Sequence, residues 1–211
     1  MLIHQDLRLY LCTDRALTLG RPITQAVEAA IAGGVTLVQL REKTASTEEF
    51  YRIALAIHAL TRPYHLPLVI NDRLDIALAV GAEGLHLGQS DLPLSVARRL
   101  AGSRMFIGLS ASTVEEALRA QAEGADYLGV GPVYPTCSKA DSGESIGLEG
   151  LAAIRAAVHI PVAAIGGINE ANAAQVMEAA VAGIAVISGI LSQPDIEAAA
   201  RNLRRIVDSG R

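Results

Sequence analysis

Residues 67–88 read PLVINDRLDIALAVGAEGLHLG, and the arrangement of this stretch decides the fold. It contains two short apolar runs, PLVIN (67–71) and GLHLG (84–88), with the helical pattern LDIALAVG between them. Short apolar runs on either side of a helical pattern are typical of parallel strands joined by a crossover helix. The number of such units along the chain therefore determines the architecture.

The same alternation of strand and helix continues in both directions. Besides the two strands at 67–71 and 84–88, six more are predicted, at residues 7–13, 36–40, 105–110, 126–131, 161–166 and 183–188. A helical pattern follows each strand; the seventh of these patterns spans residues 169–183. Eight strands, each followed by a helix, predict an α/β protein with a single (β/α)8 TIM barrel, formed as one domain by residues 1–211.

A recurring strand entry favours the barrel over an open sheet. A small-residue helix end meets a glycine before strands two, four, six and eight, in AGGVTLV, GAEGLHL, EGADYLG and VAGIAVI. Such repetition suits a repeated βα unit. In the alternative, an open doubly wound sheet, the first strand normally leads into a glycine-rich phosphate turn, whereas CTDRALTLGRP follows the first strand here.

Composition limits the classes of function. The net charge of −4 and an aromatic content of 3% argue against a nucleic-acid-binding surface, which needs basic or stacking side chains. The longest apolar stretch, residues 179–191, is shorter than the roughly 20 residues of a membrane span. The N-terminus shows no signal-peptide pattern, so a cytoplasmic protein is expected. Cys12 and Cys137 lack disulfide-framework or zinc spacing and are expected as free thiols.

Polar residues just past each apolar run are the candidates for a site, because barrel enzymes carry theirs at the carboxyl ends of the strands. Strand one contributes least by this criterion. Asp72 and Asp91 follow the neighbouring strands three and four, and two such carboxylates suit Mg²⁺ shared with substrate phosphates. The alternative is that each aspartate caps the helix that follows it.

Two cationic side chains follow strand two. Arg41 and Lys43 flank Glu42 in QLREK, and no apolar periodicity explains them. Arginine can clamp an anion with two hydrogen bonds, and lysine supplies a mobile point charge. The alternative is a solvated salt-bridge cluster in which both cations serve Glu42.

Three more segments indicate anion binding. The turns IGGI (165–168) and VIS (186–188) end strands seven and eight, where many barrels bind phosphate through backbone amides. The segment PTCSK (135–139) follows strand six and adds two hydroxyls and an ammonium. We therefore expect the mouth of the barrel to hold two anionic groups, one beside the carboxylates and one near strands seven and eight.

The segments YLCTD, VQLREK, INDRLDIALAVGAEGLHLGQSDLP, GADYLGVGPVYPTCSK and AIGGI resemble the thiamine-phosphate synthase family, and the resemblance covers nearly the whole chain. It implies an enzyme that joins hydroxymethylpyrimidine diphosphate to hydroxyethylthiazole phosphate with Mg²⁺, forming thiamine phosphate and releasing diphosphate. For this reaction we hypothesise a dissociative substitution, which needs no covalent nucleophile. The partners would be these small molecules, and the oligomeric state stays open, a homo-oligomer included.

The resemblance assigns roles to particular residues. Asp72 and Asp91 would hold Mg²⁺. The catalytic group would be Arg41, Lys43, Ser110 and Lys139, and with Gln39 and Asn71 these would contact the pyrimidine diphosphate. The thiazole phosphate would be received by Thr136, Ser138, Gly167, Ile187 and Ser188.

The sequence departs from the family pattern after Ser110, where Ser112 stands in place of the family's usual histidine. One alternative is a sister group with the same barrel, the thiazole tautomerases, which rely on a histidine in this segment. A serine does not easily replace that histidine as a base near neutral pH. Another alternative is a non-catalytic barrel that binds thiazole phosphate or thiamine phosphate. His86 is expected to lie in the core or beside the site.

Overall fold

The computed structural model describes residues 4–136 and 144–210. Eight parallel strands form a closed barrel in which each strand pairs with the next and the eighth pairs with the first. The strands are β1 (Leu9–Cys12), β2 (Leu37–Leu40), β3 (Leu68–Asn71), β4 (Gly84–Leu87), β5 (Phe106–Ala111), β6 (Tyr127–Val130), β7 (Val162–Ile165) and β8 (Gly183–Val186). The prediction of a (β/α)8 barrel is confirmed.

Helices cover the outside of the barrel. They are α1 (Ile23–Ala32), α2 (Thr47–Thr61), α3 (Leu74–Val80), α4 (Leu94–Ala101), α5 (Val114–Ala122), α6 (Gly147–Ala157), α7 (Ala173–Met177), α8 (Ser188–Leu191) and α9 (Ile196–Ser209). Short 3₁₀ turns lie at His4–Leu7, Arg15–Leu17 and Arg62–Tyr64. All eight predicted strands form, each ending within two residues of its predicted bounds.

Two elements after β7 and β8 differ from the prediction. The helix predicted over 169–183 spans only Ala173–Met177, and it ends ahead of Ala180, whose φ of 54° is left-handed. It starts late because Asn172 bonds the backbone with its side chain: Oδ1 accepts from the amide of Asn169 (2.8 Å), and Nδ2 donates to the carbonyl of Gly167 (3.0 Å). Such local bonds compete with helix formation. The strand predicted to reach Ser188 ends at Val186, and the short helix α8 starts at Ser188.

The hydrophobic core has an inner and an outer part. Side chains between the strands and the helices form the larger, outer part, and a smaller cluster fills the barrel interior. Within that cluster the rings of Tyr10 and Phe106 meet the ring of Tyr127 edge-on. A β-carbon added at Gly108 would overlap the Tyr127 ring, so this strand glycine makes room for a large inward side chain.

The structure bears on two expectations from composition, the absence of a membrane span and the state of the cysteines. Across residues 4–136 and 144–210, no helix combines the length and the apolar character needed to cross a bilayer. Cys12 is buried and forms no disulfide within the described part of the chain. Cys137 lies outside the described residues.

Candidate active site

A cavity of about 410 Å³ opens at the carboxyl ends of the strands. Two of the predicted site residues, Ser138 and Lys139, lie outside the described part of the chain. The others all line this cavity: Gln39, Arg41, Lys43, Asn71, Asp72, Asp91, Ser110, Thr136, Gly167, Ile187 and Ser188. The structure thus brings together residues that span 150 positions of sequence, although their individual roles stay predictions.

Two carboxylates and a lysine form one rim of the cavity. Lys43 Nζ donates to Asp72 Oδ2 at 2.7 Å, and Asp91 Oδ2 accepts from the amide of Gly88 at 2.7 Å. Burial raises the pKa of Asp91, and a hydrogen bond with the neighbouring Asp72 carboxyl raises it further. Asp72 therefore lies close enough to Asp91 to disfavour the ionised form of Asp91.

The alternative that these aspartates are helix caps is wrong. Helix α3 has Arg73 at its N-cap position and α4 has Pro93 there, and neither residue makes a side-chain cap bond. Asp72 instead adopts a left-handed backbone with φ of 63°, and its amide donates to the carbonyl of His86 at 2.8 Å. This conformation is uncommon for a residue other than glycine, which indicates that the carboxylate is held in place by its surroundings.

The paired carboxylates fit a hard divalent cation. Among the described residues no group of three or more histidine, cysteine, aspartate or glutamate side chains is placed to hold a metal. Mg²⁺ commonly uses only one or two carboxylates and completes its shell with water and substrate phosphates. Asp72 and Asp91, facing a cavity with room for a phosphate, offer that donor set.

Arg41 is held by residues that follow β1. Its Nη1 donates to Asp14 Oδ2 at 3.0 Å, and its backbone amide donates to Thr13 Oγ1 at 3.1 Å. The side chain is only 12% exposed, and its buried Nε has no partner among the described residues. Asp14 is itself fixed, because Oδ1 accepts from the amide of Ala16 at 3.0 Å. Asp14 therefore orients the guanidinium.

Glu42 does not take part in a solvated salt-bridge cluster with its neighbours, so that alternative is wrong. Its side chain is 3% exposed, and Oε2 pairs with Arg15 Nε at 2.9 Å. Burial raises the pKa of this carboxyl. Arg15 also donates to Glu49 of α2 at 2.6 Å, so Glu42 is connected through Arg15 to this helix. Glu42 thereby fixes the loop after β2, while Arg41 and Lys43 line the cavity.

A chain of buried hydrogen bonds forms the floor of the cavity. Gln39 Nε2 donates to the hydroxyl of Tyr10 at 2.5 Å, and this hydroxyl lies 2.9 Å from that of Tyr127. His86 Nδ1 lies 2.9 Å from the Tyr127 hydroxyl, and His86 Nε2 lies 3.0 Å from Ser110 Oγ. The five side chains come from β2, β1, β6, β4 and β5.

Sequence reasoning missed two of the five side chains of this floor, Tyr10 and Tyr127. Strand one, which was expected to contribute least, adds Tyr10 and Cys12 to the cavity lining, and Asp14 after it supports Arg41. The expectation for His86, core or beside the site, agrees with its burial and with its place in the cavity wall. The sequence does contain an indication of this network. A tyrosine inside an apolar strand carries a hydroxyl group, and a buried hydroxyl group needs a hydrogen-bond partner.

Ser112, the residue that departs from the family pattern, makes its hydrogen bonds to the nearby helix α5. Its amide and its hydroxyl donate to Glu116 Oε2, at 2.7 and 2.9 Å. Thr113 Oγ1 accepts from the amide of Glu116 at 3.1 Å, which completes a reciprocal cap at the start of α5. The hydroxyl at this position therefore serves the helix start.

Two glycines shape the opposite side of the cavity. Gly166 and Gly167 have φ of 101° and 66°, values that favour glycine. A β-carbon at Gly166 would lie 2.5 Å from Cα of Pro132, and one at Gly167 would lie 2.8 Å from the carbonyl of Pro135. This turn lies beside the start of α8 at Ser188, in the place where barrels commonly bind phosphate.

Comparisons with known proteins agree with this geometry. The model of the family described as thiamine monophosphate synthase matches residues 9–190, from the start of β1 into α8. The thiamine-phosphate synthase of Chloroflexus aurantiacus is 53% identical over 202 residues, which cover 96% of this chain and 93% of that protein. That of Clostridium tetani is 53% identical over 198 residues, 94% of each chain. A solved structure, thiamine phosphate pyrophosphorylase from Pyrococcus furiosus, matches with a TM-score of 0.92 and 45% identity over 98% of both chains.

Proposed function

The chain belongs to the thiamine monophosphate synthase family and is a transferase with thiamine-phosphate synthase activity, and we propose how its residues carry out that reaction. The proposed substrates are hydroxymethylpyrimidine diphosphate and hydroxyethylthiazole phosphate, and the products are thiamine phosphate and diphosphate. One observation carries the proposal: a single cavity has a charged rim after β2, β3 and β4 and a glycine turn after β7. Two phosphorylated substrates need two such anion sites.

The diphosphate would bind at the charged rim. Arg41, Lys43 and Ser110 would donate to its oxygens, with Gln39 and Asn71 beside them. In a dissociative substitution the electron-rich pyrimidine releases diphosphate as a benzylic-type cation forms, and the thiazole nitrogen then attacks that carbon. Negative charge grows on the departing oxygens, and donors placed in advance stabilise it, each contributing roughly 2.7–4 kcal/mol.

Asp72 and Asp91 would hold Mg²⁺. The bound cation would supply positive charge opposite the diphosphate oxygens. Burial raises the pKa of Asp91, and the neighbouring Asp72 carboxyl raises it further; a bound cation would offset the cost of keeping both carboxylates ionised. Lys43, now bonded to Asp72, would then be available to the diphosphate.

The thiazole phosphate would bind on the other side. Gly167, Ile187 and Ser188 would receive it mainly through backbone amides, with the hydroxyls of Thr136 and Ser138. Lys139 would lie between the two anions and act on the departing diphosphate. For Ser138 and Lys139 this assignment rests on the PTCSK motif.

The two alternative functions lack support in the site. A tautomerase needs a base near residue 112, but the Ser112 hydroxyl donates to Glu116. A non-catalytic barrel would have no use for the rim of Arg41, Lys43 and two carboxylates. We also propose that residues 1–211 form a single domain, that the protein is cytoplasmic and that it can form a homo-oligomer. Cell fractionation would test the location, and sedimentation would test the oligomeric state.

A direct test combines the purified protein with both substrates and Mg²⁺ and measures diphosphate and thiamine phosphate together. We expect equal amounts of both products, and we expect Asp91→Ala to lose them. Asp208→Ala is the matched control, since this aspartate also pairs with cations, Arg204 and Arg8, but belongs to α9. Diphosphate released without thiamine phosphate, or no product while thiazole phosphate still binds, would contradict the proposal.

A further inference from the structure

The buried chain on the cavity floor has a definite direction. An amide nitrogen only donates, so Gln39 Nε2 must give its hydrogen to the Tyr10 hydroxyl. Tyr10 then has its own proton to place, and the Tyr127 hydroxyl, 2.9 Å away, is the acceptor within reach. Each later member of the chain receives one hydrogen bond and passes one on.

Both phenols keep their protons over the working range of pH. They are buried, and burial raises the pKa of Tyr10 and of Tyr127. The Tyr127 proton, directed away from Tyr10, points to His86 Nδ1 at 2.9 Å. A ring nitrogen that accepts this bond carries no proton, so the proton of the neutral imidazole lies on Nε2.

The last bond runs from His86 Nε2 to Ser110 Oγ over 3.0 Å. Because the serine oxygen accepts here, its own hydrogen is left for a group in the cavity that Ser110 lines. The reverse direction would require the Tyr10 hydroxyl to accept from both Gln39 and Tyr127. Its own proton would then have no acceptor among the described residues, which should disfavour that arrangement by roughly tenfold or more.

We infer that Tyr10, Tyr127 and His86 are positioning residues: Gln39 sets the direction of their hydrogen bonds, His86 is held as the neutral Nε2–H tautomer, and the Ser110 hydroxyl is thereby turned outward as a donor to the diphosphate. The inference rests on the proposed function, since it supplies the anion that Ser110 meets. In this arrangement His86 Nε2 donates to Ser110 Oγ, so the imidazole does not act as the base of the reaction.

The tautomer can be read on the ligand-free protein. Long-range proton–nitrogen correlation spectra of protein with ¹⁵N-labelled histidine at pH 8 would show five imidazoles, and His86→Gln identifies the signal of His86. We expect the Nε2–H pattern. We expect the Nδ1–H pattern in Gln39→Glu, because an ionised carboxylate only accepts and would reverse the chain. An Nδ1–H or doubly protonated His86 in the unmodified protein would overturn the inference, whether or not the variant folds.

A kinetic cycle tests the coupling to Ser110. Tyr127→Phe and Ser110→Ala should each lower kcat roughly tenfold or more, the effect of one hydrogen bond to a charged group. The double variant should lose no more than Ser110→Ala alone, and KM for thiazole phosphate should stay unchanged. Losses that multiply in the double variant would refute the coupling.

Tyr134→Phe is the matched control, because it removes a buried tyrosine hydroxyl that has no partner among residues 4–136 and 144–210. We expect it to leave kcat unchanged. The spectra need no substrate, so failure of the proposed reaction and failure of this inference are distinguishable. A protein that makes no thiamine phosphate can still show the Nε2–H pattern, and an active protein can lack it.

Discussion

Replacing Asp14 by alanine should loosen Arg41 without touching the cavity wall. The Asp14–Arg41 pair is 3.0 Å long, with side chains 21% and 12% exposed. Breaking a buried pair costs about 3–5 kcal/mol and breaking an exposed pair about 0–1 kcal/mol. This partly buried pair lies between, at about 1.5–2.5 kcal/mol, and the lost bond to the Ala16 amide adds up to about 1 kcal/mol. The free energy of unfolding should fall by about 1.5–3.5 kcal/mol, which lowers Tm by roughly 3–14 °C in a chain of this size.

Thermal unfolding followed by circular dichroism measures that loss, and steady-state kinetics measure its effect on the site. We expect kcat/KM for the pyrimidine diphosphate to fall roughly tenfold or more, with KM for thiazole phosphate unchanged, since one charged donor loses its orientation. Asp14→Asn keeps an acceptor and should lose about half as much stability. The matched control is Asp195→Ala, which removes a comparable bond to an amide, that of Ala198, at the start of α9. If Asp14→Ala lost no more stability than this control and kept its kinetics, Asp14 would not be orienting Arg41.

Three further predictions concern other parts of the cavity. Asp91→Asn should weaken Mg²⁺ binding by more than about tenfold in calorimetric titrations. Because burial and Asp72 raise the pKa of Asp91, the ionised carboxylate opposes folding, so Asp91→Asn should also stabilise the metal-free protein at pH 7.5. In urea titrations that gain should disappear below pH about 4, where the wild-type carboxyl is protonated in both folded and unfolded states. Gly167→Ala should raise KM for thiazole phosphate and lower Tm, since φ of 66° and close backbone contact disfavour a β-carbon, and an unchanged KM would remove this turn from the phosphate site. Ser112→Ala should cost about 0.5–1.5 kcal/mol of stability through the lost bond to Glu116 and leave kcat unchanged; a large fall in kcat would show that this hydroxyl takes part in the reaction.

The barrel could be predicted because its signals are local and repeated. Each buried parallel strand is a short apolar run, and each run is followed by a helical pattern, so counting units gave the closed sheet. The late start of α7 escaped this reasoning because the Asn172 side chain bonds the preceding turn, and that bond depends on where the carbonyl of Gly167 points. Composition alone does not reveal that competition between side chain and backbone.

The rim of the site was as predictable as the strands, but the groups that orient it were not. Polar residues after the strands, such as Asp72, Asp91 and Arg41, stand out against the apolar runs they follow. Their partners are set by contacts between neighbouring strands: Asp14 meets Arg41 across 27 positions of sequence. Glu42 lies between two cations in the sequence but forms its ion pair with Arg15. Only the closed geometry decides which of several possible ion pairs forms.

The floor of the cavity shows why the fold and the chemistry of this barrel cannot be separated. In a barrel of eight strands the interior is filled by side chains, and here Tyr10 and Tyr127 fill it with rings whose hydroxyls need partners away from water. Each finds one on another strand, and the bonds continue to Gln39 and Ser110, which face the cavity. An apolar filling of the same volume would stabilise the barrel as well, yet it would leave both of those side chains free to rotate. The polar interior is therefore explained by the orientation it imposes on the site rather than by the stability it adds.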